Sequence, residues 1–471
     1  MELTPRRLRS LPPFLAPILL CFASNLLYIA GNVTPYLVSY SRSRGEEVTV
    51  ASSAWLSVLG FGLPGISSLA GFLEVRFGPR KTALFAAALS SASLLGTIWA
   101  IEHSFLATVA IYGVLYGCAR TMLFNVSISC AFKWMPNNTG MASGVTSSAT
   151  GIGALIVAPL QTWLVNPGND KPDDQGLFFT QQHVLDRVPY MFLVLAALNA
   201  AVDILGLLFI RYPRADELES TKPLQLDTER MKKPKIGARS KNRHNVNPRK
   251  AVKSSTFWCM TVPYLCGVTL FRAINTYAKT YALEQGVDDR FLSWVYSVGA
   301  LSSIFGRIFW GFLGDKLDIE MAYFIMCSMG SILTLSLGAT LYVHKSLYLV
   351  WSSCLFAIGT GNFVLSQSAV PTLFGLRHVA INMGNLFATD QVAGVLMATL
   401  AEVYFDMMGH ARLFLVLGFA SIVALPAIVY MHTTDYGANA RLWCRRYAPA
   451  RSKSISMLKL KPSTASTRPL L

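Results

Sequence analysis

Read for hydrophobic and polar positions, the chain alternates between uncharged apolar runs and short polar breaks that are mostly basic. Apolar runs fall at about 14–40, 51–75, 82–101, 105–132, 140–165 and 187–210. A polar break covers 211–254, and six more runs follow at about 256–283, 290–313, 319–343, 346–374, 380–405 and 411–432. Each holds the roughly 20 residues that a helix needs to cross a bilayer. The pattern predicts an all-α membrane protein of twelve transmembrane helices, arranged as six plus six. Its parts are an N-terminal segment over 1–13, a six-helix bundle over 14–210, a basic linker over 211–255, a second six-helix bundle over 256–432 and a basic tail over 433–471.

A short repeat suggests that the two halves are copies of one unit. Gly71-Phe72-Leu73 returns as Gly311-Phe312-Leu313, 240 positions later, with Arg76 opposite Lys316. The second copy belongs to a longer stretch, Gly306-Arg307-Ile308-Phe309-Trp310-Gly311-Phe312-Leu313-Gly314-Asp315-Lys316, which carries an arginine into an apolar run. Two pseudo-symmetric bundles are therefore expected, with Gly71, Arg76, Gly311, Asp315 and Lys316 in a repeated turn.

Composition agrees with a membrane protein. Of 471 residues, 53% are hydrophobic and 14% charged, where a soluble chain carries about a quarter charged. The net charge of +16 sits in turns and tails. Arg76, Arg80, Lys81, Lys133, Lys316 and Arg377 occupy alternate turns; twelve basic against five acidic residues lie between Pro213 and Lys253; eight more basic residues lie from Arg441 to Arg468. The positive-inside rule then places both termini and the linker in the cytoplasm, beside anionic lipid. The linker itself, poor in aromatics, reads as disordered. No basic-aromatic module points to nucleic acid.

Of the eight cysteines, Cys444 lies in the tail and the others in apolar runs, without metal-ligand spacing. Neither a disulfide framework nor a metal site is expected, and no cofactor. No nucleophile–base constellation suggests an enzyme. The first apolar run lacks a defensible cleavage site and is read as a retained span. The plasma membrane is the default location, with an internal organelle left open.

Longer motifs carry a family resemblance. Gly31-Asn32-x-x-Pro35-Tyr36-x-x-Ser39-Tyr40-x-Arg42 in the first run, and Asp288-Asp289-x-Phe291-Leu292 leading to Gly306-Arg307-x-x-Trp310-Gly311, are the principal ones. Gly78-Pro79-Arg80, Pro136-Asn137-Asn138-x-Gly140 and Asn166-Pro167 agree with them. With the two-half layout, they resemble the major facilitator superfamily, in its monocarboxylate-transporter-like and oxalate:formate antiporter branch. That resemblance implies the major facilitator fold, with a substrate site between the halves near the bilayer midplane. It implies alternating access, with the repeated turn of Gly71, Arg76, Gly311, Asp315 and Lys316 as a cytoplasmic gate motif, and small organic anions as substrates. It also gives Arg307 a place in substrate handling, as an arginine of the eighth span does in monocarboxylate transporters. Departures qualify the match. Glu74 stands one place before the family's acidic position, Ser303 replaces an aspartate one turn before the arginine, and Asp390 stands where oxalate carriers have a lysine.

Ionisable groups inside the bilayer cost about 2.5–3.5 kcal/mol on insertion scales, so each needs a reason. Arg307 lies roughly 12 Å along its helix from Asp315, too deep for easy snorkelling, and its planar fork matches a carboxylate. Substrate binding and a structural or gate contact are the alternatives. Arg272 is a candidate second cation for the site, against interhelical pairing. Asp390 is the candidate proton carrier, or else a fixed partner of Arg120 or Arg272. Asp203 has no evident partner. Tyr28 and Asn32, with Asn25, Asn362 and Gln367, are candidate cavity donors or cross-helix bonds. The small residues Gly140, Gly144, Ser147, Ser148, Gly151 and Gly153 predict close helix packing between the halves.

The expected function is secondary transport of small monocarboxylates of the pyruvate, lactate or formate class, with or without protons. The alternatives are an exchanger of oxalate-like dicarboxylates or other metabolites, and a sensor or accessory protein built on the carrier fold. No nucleotide-binding loop is present, so a gradient would drive transport.

Overall fold

The computed structural model describes residues 5–24, 30–48, 55–56, 59–60, 62–168, 170, 179–214, 217, 245–287 and 289–434. Its helices in the first half are α1 (Pro5–Ala23), α2 (Ala30–Ser43), α3 (Ile66–Phe77), α4 (Pro79–His103), α5 (Phe105–Trp134), α6 (Thr139–Val165) and α7 (Arg187–Phe209). A six-residue helix, α8 (Pro248–Lys253), leads into the second half. There α9 (Ser255–Glu284), α10 (Asp289–Lys316), α11 (Ile319–Val343), α12 (Lys345–Phe374) and α13 (Val379–Thr433) follow. Among the described residues, nine helical stretches are long and apolar enough to cross a membrane.

The packing is that of a protein dissolved in lipid. Large apolar side chains such as Leu106, Trp163, Phe305 and Ile332 face outward, each more than three-fifths exposed. Serines, threonines and asparagines are turned inward, and many serines and threonines return their hydroxyl to the carbonyl one turn back, as Thr97, Thr261 and Thr334 do. That satisfies the hydroxyl within its own helix, which hydrocarbon requires.

Two expected boundaries shift. The run over 51–75 is not helical throughout: α3 begins only at Ile66, after Gly62 and Gly65 at φ +81° and +89° with Pro64 between them. Proline lacks the amide donor and glycine alone adopts the left-handed region cheaply, so this segment turns rather than continuing a helix. Conversely, the expected break between runs at 380–405 and 411–432 is helical, and α13 is 55 residues long. A straight helix of that length would span about 80 Å, yet its two ends meet the same place. Phe257 packs on Phe374, just before α13, at 6.4 Å between ring centroids, and Thr256 donates to Thr434, just after it, at 2.8 Å. The run therefore folds back as two spans.

The described ends of the linker are anchored. Trp134 donates to the Arg211 carbonyl at 2.9 Å, and Arg211 grips Glu217 at 2.6 and 2.7 Å, holding that carboxyl down to about 2. At the other end, the Val246 amide donates to the Phe374 carbonyl at 2.9 Å and the Arg377 amide to Asn245 at 3.2 Å.

The halves meet at the end that carries the basic turns. Asp315, closing α10, accepts the backbone amides of Gly140 and Met141 at 2.7 Å each, at the start of α6. A carboxylate at a helix N-terminus satisfies orphan donors and complements the helix dipole. Glycines permit the approach. A Cβ on Gly140 would run into the Gly311 carbonyl, and one on Gly144 would lie 2.5 Å from the Arg307 carbonyl. On the pseudo-symmetric side, Gly71 of α3 packs on the Ala380 backbone, Ser68 donates to Asn385 at 2.8 Å, and Asn125 donates to the carbonyls of Ser67 and Ala380 at 2.7 and 3.2 Å. Arg76 and Lys316 stay on the surface, over Phe77 and Phe312. Glu74 does not cross to the other half. It is buried, taking Ser129 at 2.8 Å, Lys133 at 3.0 Å and Tyr212 at 2.5 Å. Asp315 is thus the one carboxylate of the repeated turn that bridges the halves.

This latch makes a prediction. A hydrogen bond to a charged group contributes about 1.5–3 kcal/mol, so Asp315→Asn raises the population open at the basic end by roughly ten- to hundredfold. Cys21, fully buried above the latch, reports it. In protein keeping Cys21 as its sole cysteine, maleimide labelling accelerates accordingly. An unchanged rate would show that the glycine packing alone holds this end shut.

Candidate functional site

Three arginines lie inside the bundle, and the structure gives each a different setting. Arg120, on α5, is fully buried and grips Asp203 of α7 through both terminal nitrogens, at 3.0 and 2.8 Å. Asp203 is thus the partner of Arg120, and the alternative that pairs Arg120 with Asp390 is replaced. Tyr116, one turn earlier, places its ring 5.5 Å from the guanidinium.

Arg307 is 4% exposed and reaches across to the other half. Its Nη1 donates to the Ser147 carbonyl at 2.8 Å and to the Thr150 hydroxyl at 2.7 Å. Gly151 stands beside it without a side chain, leaving room for the guanidinium, and Cys21 and Ser127 adjoin the same spot. The helix geometry explains the reach. A side chain on α10 leans toward that helix's N-terminus, away from the basic end. Thr150 is eleven residues into α6, so the contact lies about 16 Å from the basic end.

Arg272, on α9, pairs with Asp390 on α13, its Nη2 lying 3.1 and 3.2 Å from the two carboxylate oxygens. Asp390 is eleven residues into α13, again about 16 Å deep, near the middle of a hydrocarbon layer of about 30 Å. Gly394, one turn after Asp390 on the same helix face, offers bare backbone to the guanidinium, and any Cβ there would collide with it. Tyr264, two turns before Arg272, also reaches Asp390. The two ion pairs differ in exposure: the Arg272 side chain is 32% accessible, with its partner at 13%, while the Arg120 side chain is at 0%.

An aromatic layer underlies this pair toward the basic end. Phe363 and Phe387 stack at 5.2 Å between centroids. Phe124, from the other half, closes on them at 5.8 and 6.4 Å, and Tyr264 lies 6.5 Å from both. Phe387 is one turn before Asp390, so the rings occupy the depth between the charge pair and the latch. Sequence reasoning missed these rings and the Gly394 notch. Spacing on one helix face, Phe387–Asp390–Gly394, was the available signal.

The other candidates that the structure describes make bonds between helices. Asn32 bonds α6, through the Ala158 carbonyl at 3.2 Å, Gln161 at 3.1 Å and Thr162 at 3.4 Å. Asn362 donates to the Tyr264 carbonyl at 2.9 Å. Gln367 accepts the Ser143 hydroxyl across the half–half interface. Tyr28 and Asn25 lie outside the described residues. Among the described residues no cluster of three or more His, Cys, Asp or Glu could hold a metal, and the seven described cysteines are unpaired.

Comparisons with known proteins agree with this architecture. The family model described as Major Facilitator Superfamily matches residues 14–398. Over 423 residues the chain is 25% identical to apicoplast pyruvate carrier 1 of Toxoplasma gondii, covering 81% of this chain and 76% of that one. It is 21% identical over 424 residues to the oxalate:formate antiporter of Oxalobacter formigenes, covering 88% and 90%. In fold it is similar to the transporter FucP in the outward conformation, with a TM-score of 0.61 at 15% identity, over 90% of this chain and all of that one. A helical chain with this interior, matched over most of its length, belongs to the major facilitator superfamily of membrane transporters and has its all-α fold of twelve transmembrane helices in two six-helix bundles.

Proposed function

We propose that this protein is a secondary carrier of small monocarboxylates, of the pyruvate, lactate or formate class, working by alternating access. The observation that carries the reading is the Arg272–Asp390 pair, at mid-bilayer depth with the Arg272 side chain one-third accessible. A substrate carboxylate is chemically the same group as the Asp390 side chain, and a guanidinium donates to either in charge-assisted hydrogen bonds. Substrate arriving at Arg272 displaces Asp390, and Asp390, left without its cation in a buried place, takes a proton. Proton and anion then travel together as a neutral pair. The relatives named for pyruvate, oxalate and formate support the substrate class.

Arg307 is the second cation of the proposal. While the basic end is shut it holds α6 through Ser147 and Thr150; opening that end separates α10 from α6 and frees it to meet the same anion. The aromatic layer of Phe124, Phe363 and Phe387 acts as the seal beneath the site. With both termini and the linker in the cytoplasm, as the positive-inside rule has it, the structure corresponds to the state closed to the cytoplasm. Dicarboxylate exchange is the second reading, favoured by the presence of two arginines and opposed by Asp390, which adds negative charge to the site.

Three outcomes follow. Proteoliposomes with an imposed pH gradient, acidic outside, accumulate labelled pyruvate, lactate or formate in preference to oxalate; preferential oxalate exchange would favour the second reading, and movement of no anion by folded protein would remove both. Arg272→Gln combined with Asp390→Asn, which leaves no orphaned charge, lowers kcat/KM for uptake by about ten- to hundredfold, the loss of one charge-assisted contact. Asp390→Asn alone keeps anion exchange but loses accumulation driven by the pH gradient, and unchanged pH dependence rejects its proton role.

A further inference from the structure

We propose that Gly394 is a positioning residue for substrate recognition: by leaving room on α13 for the Arg272 guanidinium, it keeps that cation aimed when Asp390 gives way. The proposal rests on the carrier reading and names a determinant of affinity within the same site.

Arg272 belongs to α9, but its guanidinium is seated on α13. Two residues one turn apart on that helix form the seat. Asp390 takes Nη2 at 3.1 and 3.2 Å. Gly394, four residues on, stands about 6 Å further along the axis. The three atoms that a Cβ at Gly394 would meet first all belong to the guanidinium: Nη1 in outright collision, Cζ at 3.1 Å and Nη2 at 3.4 Å. The cation therefore lies against bare backbone.

This setting differs from that of the other glycines in the bundle. Gly71, Gly140, Gly144 and Gly384 admit the backbone of a facing helix. At Gly151, beside Arg307, a Cβ would meet Ile304 first, at 2.8 Å, with the guanidinium nitrogen at an ordinary contact distance of 3.4 Å. Among the described glycines, Gly394 alone has a guanidinium as all three of its nearest neighbours. Helix stability does not call for glycine inside α13, since alanine is the better helix former. Close approach of another helix does not call for it either, since no backbone atom is among those neighbours. What the missing side chain provides is space for the cation.

The space matters at the moment of exchange. Asp390 is one restraint on Arg272, and it is lost when a substrate carboxylate takes its place. The backbone at Gly394 does not leave. A long side chain that must be ordered during binding costs affinity, and one held beforehand does not. With the seat intact, the arriving carboxylate meets a guanidinium already in place to donate. An alanine pushes the guanidinium off α13, and the substrate then has to order it. Because the colliding atoms are the far end of a flexible side chain, the arginine absorbs the substitution and the helices do not.

The test is Gly394→Ala in the full chain, with binding of labelled pyruvate measured in lipid nanodiscs and uptake in proteoliposomes. Kd and KM are expected to rise about three- to tenfold, the cost of ordering one long side chain on binding, with kcat and the melting temperature little changed. On the Arg272→Gln/Asp390→Asn background the same substitution is expected to add nothing, because the group it displaces is gone. Unchanged Kd and KM, or an equal loss on both backgrounds, overturns the proposal. So does a melting temperature that falls together with kcat while KM holds, which makes Gly394 a packing residue. Pyruvate bound with this dependence but not moved across the membrane fails the carrier reading and leaves the seat standing. Pyruvate moved without the dependence does the reverse, and pyruvate neither bound nor moved removes both.

Discussion

A charge inside hydrocarbon persists only with a partner, and this rule organises the interior of the protein. Each of the three buried or half-buried arginines is engaged on a different helix: Arg120 on α7, Arg272 on α13 and Arg307 on α6. The three engagements differ in kind. One is a sealed ion pair within a half, one a partly accessible ion pair within the other half, and one includes hydrogen bonds to a carbonyl and a hydroxyl across the halves. Their exposures differ with the setting: Arg120 and Arg307 are buried, while the Arg272 side chain is partly accessible.

The second constraint is how closely two backbones can come. At the basic end the halves touch through Gly140 on Gly311, Gly71 on Ala380 and Gly384 on Ser67 and Ser68. Without bulky side chains the opposing backbones come into direct van der Waals contact. Polar contacts then supply the register. Asp315 provides the charged one, on the N-terminus of α6, whereas the first-half counterpart Glu74 is drawn into its own bundle by Lys133, Ser129 and Tyr212. The pseudo-symmetry of the fold is thereby broken in its electrostatics: one side of the closure is held by a carboxylate, the other by the amides and hydroxyls of Asn125, Asn385 and Ser68.

Between the latch and the accessible pair lies the aromatic layer, contributed mainly by the second half with Phe124 from the first. Rings stacked and tilted against one another bury a large apolar area in this layer. The aromatic layer thus lies between the Arg272–Asp390 pair and the basic end, where the halves meet.

By itself, the sequence determined the helical class, the two-half layout and the identity of the charged residues that the bilayer would have to accommodate. Hydropathy and charge are local properties, and a span of twenty apolar residues declares itself without reference to its neighbours. It also marked Asp315 as the retained acid of the repeated turn and Glu74 as displaced by one place. Partnership was not legible. Asp203 had no evident partner, and Asp390 could equally have taken Arg120 or Arg272, because the pairs join residues 83 and 118 positions apart on different helices. The Arg307 contacts, 157 and 160 positions away, were no more readable. Only the tertiary structure decided these, since which faces of two helices meet depends on tilt and rotation of the whole bundle. It decided, too, that Arg272 rather than Arg307 is the accessible cation in this state, for exposure is a property of the assembled halves and not of any one helix.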